Sequence, residues 1–351
     1  MRLLFFDNST GLKTVNDLKT RARGGMISSL FTITDLLSGM GHEVIVIGGI
    51  ETAGTTSAGV RWRRMEDGLE DPVDVLVCNR TTTHDGFACI KAKHRVLWTH
   101  DLPHSGFIPN KKIIKAYEKV VFMSRYAERV WRTFYPEIGK SVLIPNGVDK
   151  SIFYPREKDL DYLIFGSAPN RGLQYLQLIY DALRNRVRGS LYLNAYSNRD
   201  VLHPNEPTHH EINMIEKYEF TGEDAINLLD PLPQRLWAEE IGKAGMMILP
   251  TAYPEICSNA ILQSLASGTP IVTTGNLGSA SEWIKSGWNG FLTQFLPNDY
   301  MVHTLEIVKG AKEILEDTRK HNKLIGNATK TKGILSWDKI AEKWNLMLRR
   351  L

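Results

Sequence analysis

Residues Gly245–Thr274 read GMMILPTAYPEICSNAILQSLASGTPIVTT, and this stretch contains a strand, a loop, a helix and a second strand. The apolar run Met246–Leu249 has the length of a buried strand. A helix follows, ended by Gly268 and Pro270, and Ile271–Thr274 resumes as a buried strand. The apolar side of the helix consists of Ala260, Ile261, Leu262, Leu265 and Ala266. This alternation is the building unit of parallel sheets that bind ligands at the ends of their strands.

The loop in this unit has the groups needed to bind an anion together with a polyol. Ser258 or Asn259 can cap the helix, whose first-turn N–H groups and positive dipole end suit a phosphate. Glu255 can accept hydrogen bonds from hydroxyl groups, and Gln263 lies one turn inside the helix on the face of Asn259. The same spacing is also typical of a capped core helix beside a solvated Glu255.

The segment 254–272, PEICSNAILQSLASGTPIV, resembles the nucleotide-sugar signature of the family 4 glycosyltransferases, which are retaining enzymes of the GT-B fold. That signature is a Glu, seven residues and a second Glu; this chain has Glu255 at the first position and Gln263 at the second. The resemblance implies that Glu255 and the backbone amides after it bind the donor sugar, and that Gln263 contacts the nucleotide ribose. The residues carrying those amides are Ile256, Cys257, Ser258 and Asn259.

Further short motifs follow the order of this family along nearly the whole chain. They include Gly24-Gly25, Thr99-His100-Asp101, Ile144–Asp149, Asn170-Arg171-Gly172, Thr221-Gly222, Gly278 with Glu282-Trp283-Ile284, and Gly287–Leu292. The resemblance implies an α/β protein of GT-B architecture, with two Rossmann-like, doubly wound parallel-sheet domains that face a central cleft. We expect an acceptor-side domain over 1–148, a nucleotide-sugar-binding domain over 149–335, and a terminal helix over 336–351 that packs back on the first domain.

Apolar runs that alternate with helical segments predict a doubly wound sheet in the first domain. The predicted strands are Leu3–Phe6, Val44–Ile47, Val73–Cys78, Arg95–Thr99, Val120–Met123 and Val142–Ile144. His100 and Asp101 come directly after one of them, at a carboxyl end where ligands bind in such sheets. A buried or turn histidine is the other interpretation. The resemblance implies that His100 positions or polarises the donor sugar, and Asp101 and His104 are candidates for acceptor contact.

A glycine-rich loop before a helix predicts the phosphate site of the second domain. Gly166, Ser167, Asn170 and Arg171 lie in this loop, which suits a pyrophosphate. Family members carry a Lys at the position of Arg171, and the resemblance implies that Arg171 stabilises the departing diphosphate. It also places the loops with Gly24-Gly25, Gly222 and Leu232 beside the donor, completing the expected donor-binding set.

Composition excludes several classes of protein. With 351 residues, 42% hydrophobic and 23% charged, the chain has the balance of a globular protein with two cores. A net charge of +4 suits phosphorylated ligands, and no nucleic-acid motif accompanies it. Three widely spaced cysteines give no zinc motif. A first strand in place of a signal peptide, and no apolar segment long enough to span a bilayer, predict a cytoplasmic protein.

Two charged segments are open to more than one interpretation. A predicted helix with Lys111, Lys112, Lys115 and Lys119 is either a solvated face or a peripheral membrane contact. Asp159-Leu160-Asp161 has the form of a metal-binding Asp-x-Asp, but without partners it indicates surface acids, and we expect no bound metal. A long helix is predicted over Thr304–Ile325.

These observations favour a retaining glycosyltransferase that moves a sugar from a nucleoside-diphosphate sugar to an acceptor hydroxyl, without a bound cofactor. A UDP-sugar is the expected donor, with GDP- and ADP-sugars as alternatives, and the acceptor is a glycan, a lipid-linked sugar or a protein glycan. The protein is expected to be a monomer or a homodimer. Two other hypotheses stay open: a sugar-nucleotide epimerase of the same fold, and a non-catalytic nucleotide-sugar-binding subunit.

Overall fold

A computed structural model describes residues 1–12, 14–16, 24–67, 72–80, 90–103, 114–185, 187, 190–197, 226–296, 299–331 and 333–351. The chain divides into two compact units. The first comprises Met1–Gly147 together with Leu335–Leu351, and the second comprises Val148–Ile334. Each unit contains one largely parallel sheet, of eight strands in the first and six in the second.

The sheet of the first unit has the order β3-β4-β2-β1-β5-β6-β7-β8. Its strands are β1 (Arg2–Leu12), β2 (Glu43–Ile50), β3 (Gly54–Thr55), β4 (Arg61–Arg64), β5 (Val73–Asn79), β6 (Ala92–Trp98), β7 (Lys119–Phe122) and β8 (Lys140–Leu143). Helices α1 (Gly25–Gly39) and α2 (Arg125–Phe134) belong to the same unit. Leu3, Leu4 and Phe5 are completely buried, as expected for a central strand of a parallel sheet.

The sheet of the second unit is entirely parallel and has the order β11-β10-β9-β12-β13-β14. Its strands are β9 (Asp159–Gly166), β10 (Tyr192–Tyr196), β11 (Ile226–Leu229), β12 (Ala244–Leu249), β13 (Ile271–Thr274) and β14 (Gly290–Thr293). Its helices are α3 (Leu176–Arg184), α4 (Gln234–Lys243), α5 (Asn259–Ala266), α6 (Tyr300–Leu315) and α7 (Thr318–Ala328). Every residue of β12 is buried.

The last helix, α8 (Trp337–Leu348), belongs to the first unit although it ends the chain. Its Trp344 is 1% exposed, with ring centroids 6.2 Å from Phe5 and 4.9 Å from Trp98. The indole therefore packs against two strands of the first sheet, which attaches the C-terminal segment to that unit.

Two predicted helices differ from the structure. The helix expected over Thr304–Ile325 is two helices, because Asp317 accepts hydrogen bonds from the backbone N–H groups of Arg319 and Lys320 and starts α7 there. In the predicted basic helix, Lys119 instead begins β7, while Lys111 and Lys112 lie outside the described residues. No helix of the described segments is both long enough and apolar enough to cross a bilayer.

Candidate functional site

The second sheet has a topological switch point between β9 and β12. These strands are neighbours, and the chain proceeds outwards from β9 through β10 and β11, but from β12 through β13 and β14. In open parallel sheets, ligands bind at such a point, outside the carboxyl ends of the two strands. The loops that follow β9 and β12 therefore form the first candidate site.

The loop after β9 packs closely on the end of β12. Gly172 has φ +109°, and a Cβ atom at this position would collide with the carbonyl oxygen of Pro250. Glycine meets both demands because it tolerates positive φ and has no side chain. The short turn Pro169–Arg171 immediately before it thereby lies beside the loop that follows β12.

Arg171 and Glu255, which are 84 positions apart, form an ion pair in which Nε of the arginine contacts Oε1 of the glutamate. The arginine also donates through Nη1 to the Asn170 side chain, and its Cζ lies 3.6 Å from the centroid of the Tyr253 ring. Both charged side chains are less than one-fifth exposed. Nη2 makes no hydrogen bond to another described residue. The guanidinium is thus held in one orientation and keeps donors for a further anion.

The backbone of Glu255 is fixed from two sides. Its N–H donates to Tyr253 O over 2.9 Å, and its carbonyl oxygen accepts from the Ser279 N–H over 2.7 Å. Ser279 lies in the loop after β13, so three strand-end loops meet at this glutamate. The carboxylate is therefore presented from an anchored backbone.

The first residue of α5, Asn259, lies four residues beyond Glu255. Ile256, Cys257 and Ser258 are each 7% exposed. Ser258 is the N-cap, but its side chain makes no capping hydrogen bond, so the predicted cap is wrong in its chemistry. Because the Ser258 side chain does not cap α5 and the helix dipole is positive at this end, the start of α5 is suited to an anion.

Gln263 and Trp237 are joined across the helices α4 and α5. Trp237 Nε1 donates to Gln263 Oε1 over 2.9 Å. Leu232, which is half-buried, lies just before α4.

At the end of β9, the Ser167 carbonyl oxygen accepts a 2.8 Å hydrogen bond from the Ser197 hydroxyl, which ties the glycine-rich loop to the end of β10. Gly222 lies outside the described residues.

The first unit has its own switch point, between β1 and β5. Arg80 follows β5 and has φ +68°, a sparsely populated conformation for a residue with a side chain. Its guanidinium forms an ion pair with Asp101, whose carbonyl oxygen accepts from Trp131 Nε1 over 2.9 Å. Asp101 is therefore held in place by two neighbouring elements. His104 lies outside the described residues.

His100 follows β6 as a neutral imidazole. Its ring lies 4.4 Å from the ring of Trp98, and Nε2 is buried without a hydrogen-bond partner among the described residues. Burial, and secondarily the charge of Arg80, lower the pKa of His100 to about 3. The unused nitrogen of a neutral imidazole can donate or accept a hydrogen bond, depending on the tautomer, but the ring carries no charge near neutral pH.

Gly24 and Gly25 stand at the start of α1. Gly24 is the N-cap and its carbonyl oxygen accepts from the Ser28 N–H over 3.2 Å, while the Ser29 hydroxyl donates to the Gly25 carbonyl oxygen over 2.7 Å. Gly25 is exposed, so backbone at the beginning of this helix is accessible.

Within the described part of the chain, no cluster of three or more His, Cys, Asp or Glu side chains has the geometry to hold a metal ion. Asp159 accepts a hydrogen bond from the Tyr192 hydroxyl over 2.7 Å, and Asp161 from the Ser190 hydroxyl over 2.6 Å. Both acids lie at the start of β9, whereas the switch-point loops lie at its other end.

Sequence reasoning did not assign roles to Tyr253, Trp237 and Arg80. Tyr253 supports Arg171, Trp237 binds Gln263, and Arg80 binds Asp101. The sequence offers a weak signal for two of them, since Tyr253 lies two residues before Glu255 and Arg80 directly follows a strand. Trp237 carries no such signal, because its partner lies 26 positions away.

The fold defined by these two sheets is that of the GT-B glycosyltransferases. The structure matches a sucrose-phosphate synthase from Thermosynechococcus elongatus with a TM-score of 0.78 and 15% identity. The match covers 100% of this chain and 99% of the synthase chain. WaaG, a glycosyltransferase involved in lipopolysaccharide biosynthesis, matches with a TM-score of 0.69 and 12% identity, over 98% of this chain and 99% of that one.

A third solved structure, Anabaena HepE in complex with UDP and glucose, matches with a TM-score of 0.70 and 15% identity over the whole of both chains. No protein-family model matches the sequence. A comparison with curated proteins also gives no match. The similarity to these three solved structures, at 15% identity or less, therefore establishes the fold alone.

Proposed function

We propose that this protein is a glycosyltransferase that uses a nucleoside-diphosphate sugar, and that it belongs to the retaining enzymes of family 4. The observation that carries this proposal is the meeting of Arg171, Glu255 and the start of α5 at the switch point between β9 and β12. A cation, a carboxylate and a positive helix end in one place suit a ligand with both phosphates and hydroxyl groups.

Each group has a proposed role in holding the donor. Arg171 and the backbone amides from Ile256 to Asn259 bind the diphosphate, and Glu255 accepts hydrogen bonds from the sugar hydroxyls. The Gly166–Asn170 loop lies beside the phosphates. Negative charge grows on the leaving diphosphate as the glycosidic bond breaks, so Arg171 contributes roughly 3–4 kcal/mol if it is comparable to an oxyanion donor.

The chemistry follows from these roles. In the proposed retaining reaction the acceptor hydroxyl attacks from the face that the diphosphate leaves, and the leaving phosphate takes the hydroxyl proton. No metal is required, because Arg171 and the helix end supply the positive charge. We propose that neutral His100 contacts the transferred sugar, and that Asp101 and His104 serve the acceptor.

UDP is the proposed nucleotide. The support is that HepE, which shares the fold, was solved with UDP-glucose, with UDP, and with UDP and glucose. WaaG, which shares the fold, is a glycosyltransferase involved in lipopolysaccharide biosynthesis, and a glycan, a lipid-linked sugar or a protein glycan is the proposed acceptor. We expect the enzyme to work in the cytoplasm.

The first experiment is titration of the purified protein with UDP, GDP and ADP, and then with the corresponding glucose donors, followed by an assay of nucleotide release with and without acceptors. We expect UDP to bind and acceptor-dependent release of UDP from its sugar. Binding without turnover for any acceptor would favour a non-catalytic subunit, and interconversion of the donor sugar would favour an epimerase. Absence of binding to all three nucleotides would contradict the proposal.

Arg171→Ala is the variant that tests the phosphate assignment. We expect it to weaken UDP binding by at least about tenfold, because a charge-assisted contact to phosphate is lost. Arg184→Ala is the matched control, since Arg184 lies in the same unit but is 41% exposed and 3.8 Å from Asp181. Equal UDP affinity in both variants would show that Arg171 does not hold the diphosphate.

A further inference from the structure

A cavity of about 210 Å³ lies within the second unit, near the amino ends of β9 and β13. It is lined by the segment that leads into β9, by the last residues of α5 and α7, and by the end of the unit. The lining residues include Lys150, Phe153, Tyr154, Ala266, Ala328 and Ile334. The switch-point loops follow the carboxyl ends of the strands, so this cavity is separate from the proposed nucleotide site.

The inner wall of the cavity is apolar. Phe153 is 1% exposed, Ala328 is completely buried and Ile334 is 6% exposed. An apolar cavity of about 150 Å³ is large enough to hold benzene, whereas sites for drug-sized ligands begin at roughly 300 Å³. The cavity therefore has room for one aromatic ring with a small substituent, but it is too small for a nucleotide.

Tyr154 gives the cavity an aromatic side. The side chain is 43% exposed, and Cζ of Arg156 lies 4.4 Å from the centroid of its ring. The guanidinium thus stacks on the tyrosine, which still lines the cavity. A flat ligand ring can pack against this tyrosine, as aromatic pairs do in protein cores.

Two cations near the cavity lack acidic partners in the part of the chain that the structure describes. The side chains of Lys150 and Arg156 form no ion pair or hydrogen bond with another described residue, and Nε of Arg156 is buried. The adjacent Asp149 instead accepts hydrogen bonds from the backbone N–H and the hydroxyl of Ser151, over 3.0 and 2.6 Å. Glu157 does not line the cavity. The charge of this region therefore favours an anion.

The negative ends of two helices adjoin the cavity, but their carbonyl groups already have donors. Just after α5, the Ser267 carbonyl oxygen accepts from Lys158 Nζ over 3.0 Å. At the end of α7, the Ala328 carbonyl oxygen accepts from the Thr331 hydroxyl over 2.7 Å. Lys158 also brings a cation to the end of α5, which offsets the helix dipole there.

We propose that this cavity is a second binding site and that it takes a small aromatic carboxylate. The ring of the ligand enters among the apolar side chains and packs against Tyr154, and its carboxylate lies at the mouth beside Lys150. The inference does not depend on the proposed function, because it uses none of the residues assigned to the donor.

Benzoate is the probe for this site, with the full-length protein titrated by ligand-observed NMR. We expect a Kd of about 1 mM or tighter. Benzyl alcohol, which has the ring without the charge, should bind about threefold to fivefold more weakly. An increase in salt from about 0.01 to 0.15 M should weaken benzoate but not benzyl alcohol, since it shortens the range of the attraction to Lys150.

Two substitutions test the two halves of the site. Lys150→Met should weaken benzoate by about threefold to fivefold and leave benzyl alcohol unchanged. Ala266→Leu should weaken both ligands by at least about tenfold, because the larger side chain fills the cavity. Lys323→Met and Ala182→Leu are the matched controls, since Lys323 is exposed on α7 and Ala182 is half-buried on α3, and neither lines the cavity.

The outcomes separate this site from the nucleotide site. Saturation with UDP should leave benzoate binding unchanged, and competition between them would place the probe in the nucleotide site and overturn the inference. Absence of benzoate binding, or equal affinity in the wild type, Lys150→Met and Ala266→Leu, would also overturn it. Should Ala266→Leu fail to fold, as judged by its thermal unfolding, Lys150→Met still decides the matter, because Lys150 is exposed and benzyl alcohol serves as the internal reference.

Discussion

The Glu255 carboxylate forms an ion pair with Arg171 in the free protein, and in the proposed complex it also accepts hydrogen bonds from the sugar. We predict that Glu255→Gln weakens binding of UDP-glucose by roughly tenfold to a hundredfold, because a charged hydrogen-bond acceptor for the sugar hydroxyls is lost. Binding of UDP, which lacks the transferred glucose, should change much less. The two dissociation constants measured side by side give the answer.

The control for this substitution is Glu316→Gln. Glu316 is half-exposed and lies 3.3 Å from Lys312 on the surface, where removal of the charge has little effect. If Glu255→Gln weakened UDP and UDP-glucose equally, the carboxylate would act only through Arg171, and the assignment to the sugar would be wrong.

His100 gives a prediction about pH. Because burial lowers its pKa to about 3, the imidazole stays neutral throughout the range in which enzymes of this kind are assayed. We predict that His100→Asn lowers kcat but leaves the shape of the pH–rate profile between pH 5.5 and 8 unchanged, as expected for a group that exchanges no proton. A basic or acidic limb with a midpoint near 6.5 that vanished in the variant would contradict this.

The individual residues show what the sequence could and could not reveal. Arg171, Glu255 and His100 were predictable because each lies in a loop that follows a strand, where parallel sheets bind ligands. The ion pair between Arg171 and Glu255 was not, since it depends on how Gly172 packs against Pro250, a contact between distant segments. The neutral state of His100 likewise depends on burial that no local pattern encodes.

Lys158 lies at the amino ends of the strands of the second sheet, opposite the switch-point loops, and it links the segments that lead into three strands. Its Nζ donates to Gly242 O over 2.6 Å, Ser267 O over 3.0 Å and Thr269 Oγ1 over 2.6 Å. These acceptors lie just before β12 and β13, so one ammonium group links the beginnings of β9, β12 and β13. Three neutral acceptors match its three N–H donors, yet burial lowers the pKa of Lys158 from 10.5 to about 7.

This lysine makes the stability of the protein pH-dependent in a defined direction. Between about pH 7 and 10.5 the unfolded chain binds the proton more readily than the folded one, so the free energy of unfolding should rise with pH. We predict this rise between pH 7 and 9 in urea denaturation, and its loss in Lys158→Met. Above pH 9 the buried Cys78 thiol acts in the opposite sense, because burial raises its pKa to about 12.

Lys323→Met is the control, since Lys323 is exposed on α7. That variant should keep the wild-type dependence on pH. A Lys158→Met protein whose unfolding free energy still rose between pH 7 and 9 as in the wild type would show that another group causes the effect.

Helices and strands with a strong apolar period were predictable, whereas their ends were often not. The period of Thr304–Ile325 continues through Asp317, and only the capping bonds of that residue reveal the break between α6 and α7. The strands β3, β4 and β11 have two to four residues each, too few for a pattern to emerge from the sequence. Their pairing with longer neighbours, rather than their own propensity, creates them.

For the molecule as a whole, the alternation of strands and helices predicted a doubly wound sheet in the first unit, and the resemblance to the family implied the architecture of two such domains. The alternation does not reveal the order of the strands, and that order creates the switch point between β9 and β12. Similarity of fold at 12 to 16% identity shows how little of the sequence this architecture constrains.

Binding of the donor should stabilise the folded protein. A ligand at 100 times its Kd adds ~2.7 kcal/mol to the free energy of unfolding. We predict that UDP raises the Tm of the wild-type protein in proportion to the logarithm of its concentration, and that Arg171→Ala needs at least about tenfold more UDP for the same shift. An identical shift in both proteins would place the nucleotide away from Arg171.

The decisive measurement is a crystal structure of the protein grown with UDP-glucose. We predict a diphosphate in contact with the guanidinium of Arg171 and the first turn of α5, the glucose hydroxyls on Glu255, and the ribose beside Gln263. A well-defined nucleotide bound anywhere else, with the ion pair between Arg171 and Glu255 unchanged and no ligand beside it, would contradict the proposed site.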